Sequence, residues 1–135
     1  MKVLQINAVY EYSSTGRTTM ELHQYLLSQG IDSYVAANNV NDSKHFIKLS
    51  SVWSMHLHSI FSHLTGKQGY FSYFSTKRLL RKMDKIKPDI VHLRVLHSNC
   101  INLSLLLKYL AQYKIPTVLT LHDCWFFTGH CCYFT

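Results

Sequence analysis

The sequence TVLTLHDCWFFTGHCCY at residues 117–133 joins a strand pattern to a cluster of polar and aromatic side chains. Its first five residues are β-branched or apolar and follow Pro116, which is typical of a buried strand. The apolar run stops at His122 and Asp123. Open α/β sheets bind ligands at the carboxyl ends of their strands, so this stretch predicts a functional site.

The first part of the chain predicts a strand–helix–strand unit. Residues 2–6 form a short apolar run suited to a central strand, and residues 31–37 form the next strand. Between them lies a polar loop that contains Gly16. We expect the helix to begin near Thr18, which opens an S/T-x-x-E capping box, and to end at Gly30.

The rest of the chain alternates between strand and helix patterns. Short apolar runs bounded by turn residues predict strands, and apolar positions repeated every three or four residues predict helices. The predicted elements are a strand at 46–49, helices at 51–64 and 75–87, a strand at 89–93, a helix at 103–113 and a strand at 117–121. This alternation predicts an α/β fold with a doubly wound, mostly parallel sheet in the order 3-2-1-4-5.

The helix predicted at 51–64 carries its apolar residues on one face. These residues are Trp53, Leu57, Ile60, Phe61 and Leu64. Its three histidines lack the i, i+4 spacing of a metal-binding pair, so they are interpreted as solvated or partly packed side chains. The aromatic residues that follow, at positions 70–74, either cover a small satellite core or form a rim for an apolar or sugar acceptor.

The predicted strand order brings three polar loops, residues 14–17, 94–99 and 122–130, to one rim of the sheet. In the first loop, the N-terminus of a helix favours a phosphate or carboxylate, and Arg17 can add a bidentate contact. The alternative is an ordinary polar turn in which Gly16 takes a positive φ. A single glycine falls short of G-x-G-x-x-G, which disfavours a nicotinamide-dependent oxidoreductase.

The composition indicates one folded domain with an anionic partner. The chain has 135 residues, of which 47% are hydrophobic, and its formal net charge is +7. Nucleic acid, nucleotide phosphate and an anionic membrane all fit that charge. No nucleic-acid recognition motif is present, so we predict no nucleic-acid partner.

The helix predicted at 75–87 has a basic outer face. Its cations are Lys77, Arg78, Arg81, Lys82, Lys85 and Lys87. Such a face is either simply solvated or lies against anionic lipid. The chain has no apolar run of about 20 residues and no signal-peptide pattern, so we expect a cytoplasmic protein that can contact the membrane peripherally.

The four cysteines, Cys100, Cys124, Cys131 and Cys132, are not spaced as a disulfide framework. Free thiols are the simpler interpretation in a cytosolic chain. The alternative is a zinc cluster that includes His130, but the spacing is not C-x2-C. We therefore predict no metal site and no cofactor.

Four stretches resemble the N-terminal domain of family 4 glycosyltransferases. They are IxxVYxYxSTGR at 6–17, LTGKQGYFS at 64–72, KPDIVHLRVLHSNCINL at 87–103 and IPTVLTLHDCWFFTGHCCYF at 115–134. The similarity is greatest to enzymes of bacterial capsular, exopolysaccharide and colanic-acid-type assembly, and TLHDCWxFTGHC is its most specific part.

The resemblance implies a GT-B enzyme with two Rossmann-like domains that face each other across a cleft. Residues 1–135 would form an incomplete N-terminal, acceptor-side domain, and the C-terminal donor domain would be absent. The full enzyme would transfer a sugar from a nucleotide-sugar donor to a saccharide or polyprenyl-linked acceptor, with retention of configuration and without a bound metal. The 135-residue chain alone would be inactive.

The resemblance also implies roles for residues at the rim. Thr15, Gly16 and Arg17 would approach the donor phosphates. His122 would lie near the reacting sugar, and Asp123 would orient it or contact acceptor hydroxyls. Acceptor-binding roles would fall to Arg94, His97, Asn99, Trp125 and His130. Arg94 stands where these relatives have a histidine.

A different class of function remains open. A small stand-alone α/β binding or interaction protein, associated with a membrane surface through the basic helix, has the same composition and strand pattern. A donor domain encoded downstream would favour the glycosyltransferase interpretation over the stand-alone binding protein.

Overall fold

The computed structural model of the chain describes residues 1–128 and residue 131. Its centre is a five-stranded sheet in the order β3-β2-β1-β4-β5, and all four pairings are parallel. The strands are β1 (Lys2–Ile6), β2 (Asp32–Ala37), β3 (Phe46–Lys48), β4 (Ile90–Leu93) and β5 (Thr117–Leu119). The predicted α/β class and strand order are confirmed, and the fold is Rossmann-like.

Helices connect the strands. They are α1 (Ser13–Ser28), α2 (Val52–Thr65), α3 (Tyr73–Ile86), α4 (Leu103–Gln112) and the short α5 (Trp125–Thr128). The central strands β1, β2 and β4 are rich in apolar residues, as expected for parallel strands that are covered on both faces. Leu79 and Met83 of α3 and Leu106 of α4 complete the core against them.

The start of α1 differs from the sequence-based expectation. The helix begins at Ser13, with Tyr12 as an N-cap residue whose side chain makes no capping hydrogen bond. A turn with positive φ at Glu11 (73°) and Ser13 (63°) directs the chain into the helix before Thr18 is reached. The capping box at Thr18 is therefore wrong, because that residue already lies in the second turn.

The last strand is not buried as the apolar run at 117–121 predicted. β5 pairs with β4 on one side only, and Val118 is 52% exposed. Within the described residues, no further strand lies beyond it. An apolar run shows that a strand is suited to burial. The position of that strand in the sheet decides whether other elements of the fold bury it.

The apolar residues of α2 share a face, but that face points to solvent. Trp53 is 82% exposed and Leu64 is 77% exposed, whereas His58 and Ser62 are the buried residues of the helix. His58 Nδ1 lies 2.6 Å from Ser72 Oγ, so this histidine packs inward.

The described helices include none that is both long and apolar enough to cross a bilayer. Cys100 is buried, Cys124 is partly buried and Cys131 is exposed, and each is a free thiol. Cys132 lies outside the described residues.

Candidate functional site

The loops that follow β1 and β4 are joined at the carboxyl edge of the sheet by Asn7. Its side-chain oxygen accepts a hydrogen bond from the backbone of Val95 (3.0 Å). Its amide nitrogen donates to the Val9 carbonyl (2.7 Å) and to Thr19 Oγ1 (3.1 Å). One buried side chain therefore ties the first loop, α1 and the loop after β4 together.

Arg94, the first residue after β4, lies at the centre of the rim and is only 7% exposed. Its Nη1 donates to Gln5 Oε1 (3.3 Å) and its Nη2 donates to Thr18 Oγ1 (2.7 Å). Its Nε donates to His122 Nε2 (3.4 Å). The guanidinium thus connects β1, α1 and the loop after β5.

Within the described part of the chain, no carboxylate forms an ion pair with Arg94. Over residues 1–128 and 131, Asp42 forms ion pairs with Arg78 and Lys82, and Asp123 contacts His97. Burial lowers the pKa of the Arg94 guanidinium, but an arginine stays charged in proteins. The rim therefore contains a buried cation whose hydrogen-bond partners are uncharged.

His122 is exposed at the surface of this rim. Partial burial lowers its pKa, and so does the charge of Arg94, while Asp123 acts in the opposite direction. The ring is therefore neutral at pH 7. Because Arg94 Nε–H can only donate, Nε2 of His122 accepts, and the neutral ring carries its proton on Nδ1.

Asp123 faces His97 and the start of α5. Its Oδ2 lies 2.8 Å from His97 Nε2, and its Oδ1 accepts a hydrogen bond from the backbone of Trp125 (3.0 Å). The His97 and Trp125 rings lie 5.9 Å apart. The loops after β4 and β5 are therefore joined a second time, beside the Arg94–His122 contact.

Thr15, Gly16 and Arg17 lie in the first turns of α1. Gly16 is buried, and a Cβ there would lie 3.2 Å from both Glu11 N and Val9 Cγ2, so the preceding loop packs directly on this glycine. Arg17 is exposed. All three residues lie on α1. Thr18 of the same helix accepts a hydrogen bond from Arg94.

The remaining predicted acceptor residues are less closely grouped. Asn99 accepts a hydrogen bond at its carbonyl from Ser72 Oγ (3.3 Å), near the start of α3. Trp125 is buried, and its Nε1 donates to Gln68 Oε1 (2.8 Å). His130 lies outside the described residues.

A groove of about 360 Å³ lies beside Trp125, between the α2–α3 loop and α5. It is lined by Gly66, Lys67, Gln68, Tyr70, Leu103, Trp125, Phe126 and Thr128. The cavity between the loops after β4 and β5, whose lining includes Arg94 and His122, is much smaller, about 10 Å³. The groove is large enough for a sugar ring. The cavity beside Arg94 and His122 is not, so these side chains can contact a ligand only at the surface of the rim.

The family model described as Glycosyltransferase Family 4 matches residues 15–133, which include every site residue that the sequence predicted. The chain belongs to glycosyltransferase family 4. This family 4 chain is 25% identical over 152 residues to "Putative colanic acid biosynthesis glycosyl transferase WcaC" of Escherichia coli (strain K12). The alignment covers 98% of the chain and 36% of that protein, so the chain spans about a third of this curated relative. No solved structure matches this family 4 chain.

The family 4 chain has further polar residues beside the predicted site residues that the sequence pattern did not assign to the site. They are Gln5, Asn7, Thr18, Gln68 and His92. His92 Nε2 lies 2.7 Å from Thr120 Oγ1, and burial, followed by the charges of Arg94 and His122, lowers its pKa. Of these residues, Gln5 could have been identified from the sequence, because a buried polar residue in a largely apolar strand needs a hydrogen-bond partner.

The described part of the family 4 chain offers no metal centre. In residues 1–128 and 131, His, Cys, Asp and Glu side chains form no group of three or more that could hold a metal ion. The chemistry available from the described residues is hydrogen bonding by neutral His122 and Asp123, the field of Arg94, and the N–H groups at the start of α1.

Proposed function

We propose that this chain is the N-terminal, acceptor-side part of a retaining glycosyltransferase of the GT-B fold. The enzyme transfers a sugar from a nucleotide-sugar donor to a saccharide or polyprenyl-linked acceptor in the biosynthesis of a surface polysaccharide. The observation that carries the proposal is the contact of Arg94 with both Thr18 and His122, in a family 4 chain, because it joins the proposed donor loop to the proposed reacting centre.

In the proposed reaction, an acceptor hydroxyl oxygen bonds to the anomeric carbon of the donor sugar. The bond from that carbon to the nucleoside diphosphate breaks, and the diphosphate leaves with the electron pair and takes the hydroxyl proton. Positive groups favour this leaving group. The N–H groups at the start of α1 and the side chain of Arg17 supply them in this chain, and Thr15 and Gly16 set the path of the backbone there.

His122 acts on the sugar through Nδ1–H in this proposal. Its Nε2 already accepts the hydrogen bond from Arg94, so Nδ1 is the nitrogen that can donate to a sugar hydroxyl or to developing negative charge. The lowered pKa of His122 favours the neutral ring, which is the form that performs this task. Asp123 offers a carboxylate oxygen to acceptor hydroxyls.

The acceptor occupies the side of the rim that contains His97, Asn99 and Trp125, and His130, which lies outside the described residues, is a further acceptor-binding residue in this proposal. The groove beside Trp125 has aromatic walls, which suit the apolar faces of a sugar ring, and polar groups at Gln68 and Lys67. Arg94, which lines a small neighbouring cavity together with Trp125 and Phe126, adds a positive field that favours an acceptor with a phosphate or carboxylate.

The protein works at the cytoplasmic face of a membrane in this proposal, with the basic face of α3 towards anionic lipid. This location suits a polyprenyl-linked acceptor. Donor binding requires a second Rossmann-like domain, so we propose that the 135-residue chain alone does not transfer sugar. The match to only 36% of the curated relative supports this division.

The experiment is a transfer assay with this chain joined to a family 4 donor domain. Labelled nucleotide sugars are supplied as donors, and oligosaccharides and extracted polyprenyl-linked saccharides as acceptors. His122→Ala should lower kcat by about 100-fold or more, as expected for losing one transition-state hydrogen-bond donor. His56→Ala, an exposed histidine on α2, serves as the matched control.

Three results would contradict the proposal. If His122→Ala and His56→Ala have equal activity, His122 does not act on the sugar. If no donor is used and the chain still binds a saccharide, the chain is a binding module. Transfer by the isolated 135-residue chain would refute the need for a second domain.

A further inference from the structure

Helices α3 and α4 enclose a groove on the surface of the domain. The groove has a volume of about 510 Å³, and the buried side chain of Leu80 contributes to its wall. Its α3 side runs from Tyr73 to Asp84, which is about 16 Å along a helix axis. Among the described residues, this α3–α4 groove and the groove beside Trp125 share no lining residue, so it is a separate place for a ligand.

Aromatic side chains line the α3–α4 groove. Tyr73, Phe74 and Tyr113 are exposed, and the ring of Tyr113 lies 4.7 Å from that of Tyr109. Tyrosine offers an apolar ring face and a polar hydroxyl on one side chain, which suits a ligand that has both characters. A sugar ring is such a ligand, because its C–H groups form an apolar face and its hydroxyls lie at its edge.

The α3–α4 groove also carries two cations, Lys77 and Arg81, which lie one helical turn apart on α3. Lys77 Nζ lies 5.6 Å from the centre of the Tyr73 ring. Within the part of the chain that the structure describes, the cations of α3 that form ion pairs are Arg78 and Lys82. The charges in the groove are therefore presented to a ligand beside an aromatic ring.

The same groove contains groups that accept hydrogen bonds. Tyr109 Oη donates to Asp84 Oδ1 (2.6 Å), and a carboxylate has lone pairs for several donors, so Asp84 can also accept from a ligand hydroxyl. Gln112 adds an amide that both donates and accepts. The groove therefore suits a ligand that combines hydroxyls with acid groups. An acidic peptide fits less well, because it supplies the acid groups with few hydroxyls.

The α3–α4 groove begins beside the rim of the sheet. Tyr73 follows Ser72, whose Oγ donates to the carbonyl of Asn99 (3.3 Å). Thr76 Oγ1 accepts a hydrogen bond from the backbone of Asn102 (2.8 Å), which fixes α3 to the same loop. Asn99 is one of the proposed acceptor-binding residues. A saccharide longer than the acceptor site can therefore continue from the rim onto α3.

We propose that the α3–α4 groove binds a carboxylate-bearing oligosaccharide, with sugar rings on Tyr73 and Tyr113 and carboxylates on Lys77 and Arg81. A guanidinium binds a carboxylate through two parallel hydrogen bonds, and an ammonium binds it as a point charge. The inference rests on the proposed function, since an enzyme of polysaccharide biosynthesis meets saccharide chains, and it adds a second binding site outside the rim.

The test is calorimetric titration of the 135-residue chain with uronate trisaccharides in the absence of any nucleotide sugar. The probes are trigalacturonate and trimannuronate. Fully methyl-esterified trigalacturonate has the same sugar rings without the charges, and triglutamate has three side-chain carboxylates on a peptide. We expect a uronate trisaccharide to bind at least tenfold more tightly than either comparison compound, and we expect its binding to weaken with salt.

Two variants separate the charged and aromatic parts of the groove. Lys77→Gln/Arg81→Gln should raise the Kd of the uronate trisaccharide about tenfold, which is the effect of losing two exposed ion pairs. Tyr113→Ala should raise it about fivefold, because one wall of the groove loses its ring. Circular dichroism confirms that each variant is folded.

Each variant has a matched control outside the groove. Arg78→Gln/Lys82→Gln removes the same two residue types from the same helix, and Tyr25→Ala removes a tyrosine of α1 that is 61% exposed, compared with 57% for Tyr113. Both controls should bind the trisaccharide like the unaltered chain.

Four outcomes would overturn the inference. They are the absence of uronate binding, equal binding of the methyl ester, equal binding of triglutamate, and binding that the groove variants weaken no more than their controls. Since the titration contains no donor sugar and no donor domain, its failure leaves the transferase proposal standing. Uronate binding together with a failed transfer assay would instead leave the groove as a saccharide site on a chain without the proposed activity.

Discussion

Arg94 Nε and His122 Nε2 lie 3.4 Å apart, with the arginine as the hydrogen-bond donor. The contact joins the ends of two neighbouring strands, β4 and β5, and fixes which nitrogen of His122 faces outward. Arg94 is buried, so it acts on a ligand mainly through its field and through the position it gives to His122. This makes Arg94 a positioning residue in the proposed site.

Arg94→Gln should raise the pKa of His122, because the substitution removes a positive charge that disfavours the protonated ring. Arg94→Lys should leave that pKa low, because lysine keeps the positive charge although it lacks the planar guanidinium group. The measurement is an NMR titration of the histidine ring protons. Arg81→Gln, which removes an exposed arginine of α3, is the control and should not move the His122 pKa. An unchanged pKa in Arg94→Gln would show that the arginine does not influence the ring.

Gln5→Leu should lower the free energy of unfolding by about 1–3 kcal/mol, which is typical when a buried polar group loses its partner. Gln5 Oε1 accepts from Arg94 and its Nε2 donates to the Thr19 carbonyl (3.2 Å), so the substitution leaves two buried groups without this partner. Urea denaturation measures the change. Gln24→Leu on the exposed side of α1 is the matched control. Equal stability of the two variants would mean that the Gln5 contacts contribute little.

The arrangement of the strands was predictable from the sequence for physical reasons. Apolar runs of four to six residues, alternating with helical periodicity, permit few topologies once crossovers are right-handed. The rim followed from that order, because parallel strands end at one edge of the sheet. Arg94, His97 and His122 therefore lie together as expected, although what each of them does in the reaction remains a proposal.

The burial of Arg94 was not predictable from local pattern. An arginine at the end of a strand looks like a ligand-binding side chain, and its partners Gln5 and Thr18 are 89 and 76 residues away in the chain. The orientation of α2 was hidden for a related reason. Periodicity shows that Trp53 and Leu64 share a face, but only the packing of His58 shows which way that face points.

Gly16→Ala should destabilise the domain by about 1–3 kcal/mol, the range for an overpacked site. The added Cβ would lie 3.2 Å from Glu11 N and Val9 Cγ2, so the loop would have to shift by a few tenths of an ångström. Thermal unfolding provides the measurement. In an open helical position, replacing glycine by alanine stabilises by roughly 0.5–1 kcal/mol, so the sign of the change decides the question. A higher melting temperature in Gly16→Ala would show that the loop does not pack on this glycine.

His58 should make the stability of the domain depend on pH between about 6.5 and 4. Burial lowers its pKa from the ordinary 6.5 to about 4. Its Nδ1 meets Ser72 Oγ, and its buried Nε2 has no partner among the described residues. The unfolded chain therefore binds a proton before the folded chain does, and the stabilisation present above pH 6.5 is lost as the pH falls towards 4. The loss amounts to about 3 kcal/mol at most.

Urea denaturation at a series of pH values tests this dependence. His58→Gln keeps a neutral hydrogen-bonding side chain opposite Ser72 but does not titrate, so its unfolding free energy should change less over this range. His23 and His92 also have lowered pKa values, caused first by burial, and so part of the slope should remain. His63→Gln, an exposed histidine of the same helix, should keep the full slope. If His58→Gln and His63→Gln give the same slope, the buried ring of His58 is not what couples folding to protonation.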